Sequence, residues 1–156
     1  MCAIVDANVV WEVFGSDRPE AGQKFFDWLT AGSGILIIGG RLLSESSKDL
    51  RFKKWAEAAV KSGRMKIEDG NEIDRRKAEI SRIGQARSND VHIVALAQIS
   101  GARLLYSNDR KLIDDFKDKS LIDRPRGKVY RTSDDPAFTP SKRALLASKT
   151  LCRSKE

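Results

Sequence analysis

The sequence predicts an α/β domain of three layers, with helices on both faces of a central, mostly parallel sheet of four to five strands. Apolar runs alternate with stretches of helical period along most of the chain. The runs "AIV", "ILII" and "RLLYS" are almost continuously apolar, as strands buried on both faces are. A length of 156 residues suits one domain with a real core.

Taken in order, "CAIVDANVV" reads as a buried strand that ends at an acid, with a break near "GSDRP". Asp17 is expected to cap a helix with Pro19 in its first turn and Phe25, Phe26 and Leu29 on one stripe. "SGILIIGG" is a second strand bracketed by glycines. "RLLSESSKDLRFKKWAEAAVKSG" is helical in period, with a break near Ser46–Ser47 and Gly63 as its stop. "RMKIEDG" is a short third strand, and "NEIDRRKAEISRIGQA" a charged amphipathic helix carrying Ile73, Ile80 and Ile83. "NDVHIVALAQISG" is a helix ended by Gly101, "ARLLYS" a fourth strand and "DRKLIDDF" the start of another helix. "GKVYRT" is a shorter fifth strand. The domain is expected over residues 1–131. Residues 132–156, rich in Ser, Lys and Pro, read as a loosely held basic extension in which "SKRALLASKTL" could form one helix from Ser141.

Composition excludes several classes. No apolar run reaches the roughly eighteen residues of a membrane span. The N-terminus lacks a basic region before its apolar run and reads as a strand, not a signal peptide. Cys2 and Cys152 sit at opposite ends of the chain, with neither metal-ligand spacing nor a disulfide framework, so a reducing cytoplasm is expected. The net charge of +7 is uneven: residues 1–116 hold 18 Lys/Arg against 17 Asp/Glu, and residues 117–156 hold 11 against 5. A basic excess suits a polyanion partner, although a merely soluble basic surface explains it equally well.

The tripeptide Ser-Asn-Asp occurs at 88–90 and again at 107–109, enclosing one helix and one strand. Asp6 ends the first strand, Asp109 follows the fourth, Asp90 opens a helix, and Glu45 lies about one and a half turns into the helix after the second strand. In an open parallel sheet with right-handed crossovers these positions converge at the carboxyl edge. Alone, Asp90 or Asp109 would be an ordinary helix cap and Glu45 a solvated helix residue. Asp6 is harder to dismiss, because a carboxylate beside the core is costly unless paired or metal-bound, and the nearest basic residue in sequence is Arg18. Converging carboxylates without dedicated Lys or His partners select a hard cation, Mg²⁺ or Mn²⁺.

These residues resemble the PIN-domain nucleases, and most closely the small ribonucleases of prokaryotic toxin–antitoxin pairs. "IVDANVV" is similar to the first motif of that family, "GGRLLSES" to the second, and "NDVHIVALAQISGARLLYSND" to the third and fourth together, over roughly residues 1–116. The resemblance implies a catalytic, metal-binding set of Asp6, Glu45, Asp90 and Asp109, and a Mg²⁺- or Mn²⁺-dependent hydrolysis of RNA that leaves a 5′-phosphate. It implies an RNA substrate and an antitoxin protein partner, with a second copy of the chain as a further expected partner. Gly stands before the second helix where the family often has Pro. Asn8 and Asn108 could orient a carboxylate or hold substrate, or simply form turns. Asp114 and Asp115 could supplement the acidic set or face solvent, and solvent is the expectation. His92, two residues past Asp90 on a helix, points away from it and suits packing or substrate contact better than catalysis.

The basic run Lys117, Lys119, Arg124, Arg126, Lys128 and Arg131 is a candidate RNA-backbone contact, with Arg124, Arg126 and Lys128 as its centre; a solubilising or antitoxin-docking surface is the other reading. A dehalogenase-type phosphatase also begins with Asp-x-Asp or Asp-x-Asn, but Asn8 denies this chain the second acid. A catalytically silent binding module on the same fold is disfavoured because all four acids are present. Within the nuclease reading, a stand-alone enzyme of RNA processing or defence is the alternative to a toxin.

Overall fold

A computed structural model of the chain describes residues 1–153. Its sheet has five strands: β1 (Cys2–Val5), β2 (Ile35–Gly39), β3 (Met65–Glu68), β4 (Leu104–Tyr106) and β5 (Lys128–Tyr130). They lie in the order β3-β2-β1-β4-β5, and every pairing is parallel. The chain runs outward from β1 to β3, then crosses back to set β4 on the free side of β1. The order therefore reverses between β1 and β4, and their carboxyl ends form the crevice where such sheets place their sites.

A 3-10 turn (Ala7–Val9) and the short helix α1 (Val10–Phe14) follow β1, then α2 (Glu20–Thr30). Between β2 and β3 come α3 (Gly40–Ser46) and α4 (Leu50–Lys61). Next are α5 (Gly70–Ile83) and α6 (Val91–Ser100) before β4, α7 (Arg110–Lys117) before β5, and α8 (Pro140–Ala147) after it. α1 packs on α2 and α4, and α2 on α8, while α5 packs on α6 and both on α3. Right-handed crossovers then set α1, α2, α4 and α8 on one face and α5, α6 and α7 on the other. The first layer is aromatic: Phe25 lies 5.1 Å from Tyr106 and 5.2 Å from Tyr130, ring centre to ring centre. α6 is apolar all round, with Ile93, Val94, Ala95, Leu96 and Ala97 buried, which makes it a core helix.

The expected helix break at Ser46–Ser47 is present, and Asp49 restarts the chain by accepting the backbone N–H groups of Arg51 and Phe52. Gly39 and Gly40 turn β2 directly into α3. Gly40 has a φ of +54°, and a Cβ on Gly39 would fall 2.7 Å from the Glu68 carbonyl, so the glycines are required by this turn.

Three expectations change. Asp17 caps nothing: α2 begins at Glu20 with Pro19 in the cap position. The segment after residue 131 is packed, since Leu146 and Leu151 are buried and Thr139 caps α8 through the Lys142 N–H. Its end returns to the sheet, where Leu151 accepts from the Arg103 N–H at 2.9 Å and Arg153 donates to Gly101 at 2.8 Å. That return brings Cys152 against β1, and Cys2 and Cys152 form a disulfide with their Cα atoms 5.2 Å apart. Positions 150 residues apart in the chain are neighbours in the fold. This bridge withdraws the cysteine-based argument for a reducing compartment. No helix among the described residues is long and apolar enough to cross a membrane.

Candidate active site

Asp6 leaves β1 at the reversal point. Its N–H donates to Tyr106 at 2.9 Å, so the β1–β4 ladder itself holds the residue. The side chain is buried, with one oxygen accepting from the Ser107 hydroxyl at 2.8 Å and the other from the Asn8 N–H at 3.3 Å. Burial is the main cause that raises its carboxyl above the ordinary range; Asp109 and Glu45 add to the rise, while the two hydrogen bonds oppose it.

Both Ser-Asn-Asp tripeptides are the same device. The Ser88 hydroxyl accepts from the Asp90 N–H at 3.2 Å, and the Ser107 hydroxyl accepts from the Asp109 N–H at 3.1 Å. Each serine thus closes a turn that delivers an aspartate to the start of a helix. The two aspartates then diverge. Asp109 caps α7 by accepting from Leu112 at 3.2 Å. Asp90 caps nothing, and its carboxylate makes no hydrogen bond to its helix. Burial, then the charges of Asp6 and Asp109, raise its carboxyl, against the opposing field of Arg41. Ser107 also links the pair across the crevice, accepting from Asp109 and donating to Asp6.

Glu45 comes up from α3 into the same electrostatic neighbourhood but is drawn to Arg41, whose Nε lies 2.6 Å from its carboxylate. As the side chains stand, no three acids among the described residues close into a ligand set. The donor chemistry nevertheless fits a hard divalent cation: four carboxylates share one field, and Asp6 is buried with only a hydroxyl and an amide to satisfy it. Asp6, Glu45, Asp90 and Asp109 are the residues that could hold such an ion.

Other residues fall differently. Asp115 is fully buried, not solvated: it accepts the Arg87 and Ser88 N–H groups, each at 2.9 Å, and so holds the loop that presents Asp90. Asp114 is exposed as expected. His92 is buried, its ring nitrogens have no partner among the described residues, and burial lowers it to about 4. It is a neutral packing residue.

Asn8 is exposed at the mouth of the crevice. The Asn108 amide is committed inside the protein: it donates to Glu12 at 3.2 Å and to Thr132 at 2.9 Å, and accepts from the Thr132 and Ser133 N–H groups. Glu12, buried, also takes the Tyr106 hydroxyl at 2.9 Å and the Thr132 hydroxyl. Arg124, Arg126 and Lys128 are not brought to the carboxylates. Lys128 pairs with Leu104, the first residue of β4, and the two arginines precede it, so all three lie at the amino edge of the sheet. The parallel direction of β5 decides this, because a segment that enters a strand cannot sit at that strand's exit.

Sequence reasoning missed Glu12, Arg41, Ser107 and Asp115. The repeated tripeptide did signal Ser107. Nothing in the sequence signals Glu12, whose partners lie 94 and 120 residues away.

The chain belongs to the PIN domain family, whose profile matches residues 3–118. Among solved structures, VapBC2 from Rickettsia felis, crystallised bound to a DNA fragment from their promoter, is similar at 17% identity. That likeness covers 84% of this chain and 98% of that one, with a TM-score of 0.47. No curated protein matches the chain in sequence.

Proposed function

We propose that the protein is a divalent-metal-dependent nuclease that hydrolyses RNA phosphodiesters and acts as the toxin of a toxin–antitoxin pair. The observation that carries the chemistry is the meeting of Asp6, Glu45, Asp90 and Asp109 in one field at the reversal point of the sheet. Asp6, Asp90, Asp109 and Glu45 would hold the cation, which supplies Lewis-acid polarisation of the phosphate and a nucleophilic water. The protein contributes placement. Ser107 keeps Asp6 and Asp109 in a fixed relation, the Asp109 cap orients its second oxygen, and Asp115 steadies the loop before Asp90. With no histidine free to act as a base, proton transfer falls to carboxylates and water.

RNA and the antitoxin rest on family membership and on the motif resemblance. The test is cleavage of labelled RNA and DNA with Mn²⁺, Mg²⁺ or EDTA, beside the Asp90→Asn variant. Cleavage of RNA that is lost in EDTA and in the variant supports the reading; full activity in either rejects it. Growth arrest on expression without the neighbouring open reading frame, relieved by Asp109→Asn, supports the toxin role.

A further inference from the structure

Trp11 is 53% exposed, and no other aromatic side chain among the described residues is exposed. It stands at the side of an open, shallow cleft. Trp11, Asn8, Val9, Glu12, Asn108 and Asp109 line one cleft of about 440 Å³, so the indole shares a wall with an acid of the catalytic set. We infer that this cleft is a nucleobase subsite, taking one unpaired base of a single-stranded nucleic acid next to the bond cut at the acidic centre. The inference rests on the nuclease reading above and adds a specificity element to it.

The cleft is rigid on both sides. Trp11 sits on α1, followed on the same short helix by two anchored residues, Glu12 and Phe14. Glu12 is held by Tyr106 and Asn108 at the end of β4 and by Thr132 after β5, two separate parts of the chain. Phe14 is locked among Phe26, Phe52 and Trp55, at ring distances of 5.9, 5.2 and 4.8 Å. An aromatic plane on so short and tied a helix loses little freedom when a base stacks on it. The polar groups divide in the same way. The Asn108 amide is saturated by protein partners, whereas the exposed Asn8 carboxamide makes no side-chain hydrogen bond among the described residues. Asn8 is therefore the group left to meet the edge of a stacked base, with one donor and one acceptor face. A protein interface would surround an exposed Trp with apolar neighbours. Here Trp11 and Val9 share the cleft with the amides of Asn8 and Asn108 and the carboxylates of Glu12 and Asp109, which set polar partners beside the indole.

The experiment measures binding of short single-stranded RNA and DNA by fluorescence anisotropy, in the Asp90→Asn background so that nothing is cleaved. Adding Trp11→Ala should weaken binding about tenfold to a hundredfold, the range of one lost base stack. Trp11→Phe should recover most of that loss. An oligonucleotide made abasic at one position should bind the parent weakly and lose little more with Trp11→Ala, because both changes remove the same contact. The RNA and DNA arms tell which sugar the neighbouring base belongs to. Equal binding by the parent and Trp11→Ala overturns the subsite while leaving the nuclease intact. So does unchanged binding with a dimer that dissociates in sedimentation, which would assign Trp11 to contact with a second copy. A parent that binds neither nucleic acid overturns the subsite and the nuclease reading together.

Discussion

At the carboxyl edge of the sheet, acids from four elements meet, with Arg41 their only cation in hydrogen-bond contact among the described residues. At the amino edge, Cys2 and Cys152 join the two ends of the chain, and the buried Arg103 guanidinium spreads over the carbonyls of Ala97, Ala102 and Asp123. Burial disfavours the charged form of Arg103 as well, but there three carbonyls accept from it. At the carboxyl edge, Asp6 and Asp90 are left with their ionised forms disfavoured. The difference separates a buried cation met by fixed carbonyls from a group of like charges crowded together, the arrangement that a bound cation would relieve.

The largest expected effect is at the amino edge. Replacing Cys152 by Ser, or reducing the bridge, releases a constraint over 150 residues of chain. It should lower unfolding free energy by about 3 to 5 kcal/mol. Denaturant unfolding with and without reductant measures this, and the folded variant should still cleave. An unchanged midpoint would show that the amino edge holds without its staple.

Activity should divide the edges in the opposite sense. Asp6→Asn or Asp90→Asn should cut RNA cleavage by about a hundredfold or more, the cost of one key electrostatic group. Neutralising Arg124, Arg126 and Lys128 together should leave cleavage of a short oligonucleotide unchanged, because all three lie at the far edge. A large loss in that triple variant would break the comparison by showing that substrate reaches both edges.

How legible this division was differs by residue. Asp6, Asp90 and Asp109 could be placed from sequence because the end of an apolar strand and the start of a helix fix where they sit. Five strands in a mostly parallel sheet follow from the same alternation. Asp115 looked like a solvated helix acid because its partners, the Arg87 and Ser88 N–H groups, belong to a loop that only the fold brings near. The Cys2–Cys152 bridge needed the path of the last segment, and local pattern says nothing about a return across the whole domain. Arg124, Arg126 and Lys128 were grouped by charge alone, and charge carries no information on which end of a strand a residue occupies.

Asp115 and Asp90 give the comparison within a single neighbourhood. Asp115 is satisfied by backbone N–H groups, so Asp115→Asn should destabilise by about 1 to 3 kcal/mol as a buried acceptor is lost. Asp90→Asn should instead raise the melting temperature of the metal-free protein. The sign follows from linkage. A carboxyl whose folded value is raised opposes folding once ionised, so the penalty is complete only above that raised value. It vanishes as pH falls through the raised value towards the ordinary 3.8. The advantage of Asp90→Asn should therefore shrink on acidification, and thermal melts at several pH values test this.

The smallest expected effect concerns Arg41, the cation paired with an acid of the carboxyl edge. Arg41 holds Glu45 at 2.6 Å, while both side chains remain substantially exposed, at 51% and 33%. Such a pair contributes about 0.3 to 0.5 kcal/mol, so Arg41→Gln should barely shift the melt of the metal-free protein. Its consequence for a divalent ion is of the same size and opposite sign. Arg41 occupies a carboxylate that belongs to the candidate ligand set, and its field also acts against the rise at Asp90. Removing it frees Glu45 and takes a competing positive charge out of the crevice. Mn²⁺ should then bind about twofold tighter by titration calorimetry, which is that same energy expressed as an affinity ratio. Because the pair is exposed, the gain should fade as salt rises from about 0.05 to 0.5 M. A weaker affinity in Arg41→Gln would mean that Arg41 orders Glu45 for the ion, which would make the carboxyl edge as internally satisfied as the amino edge.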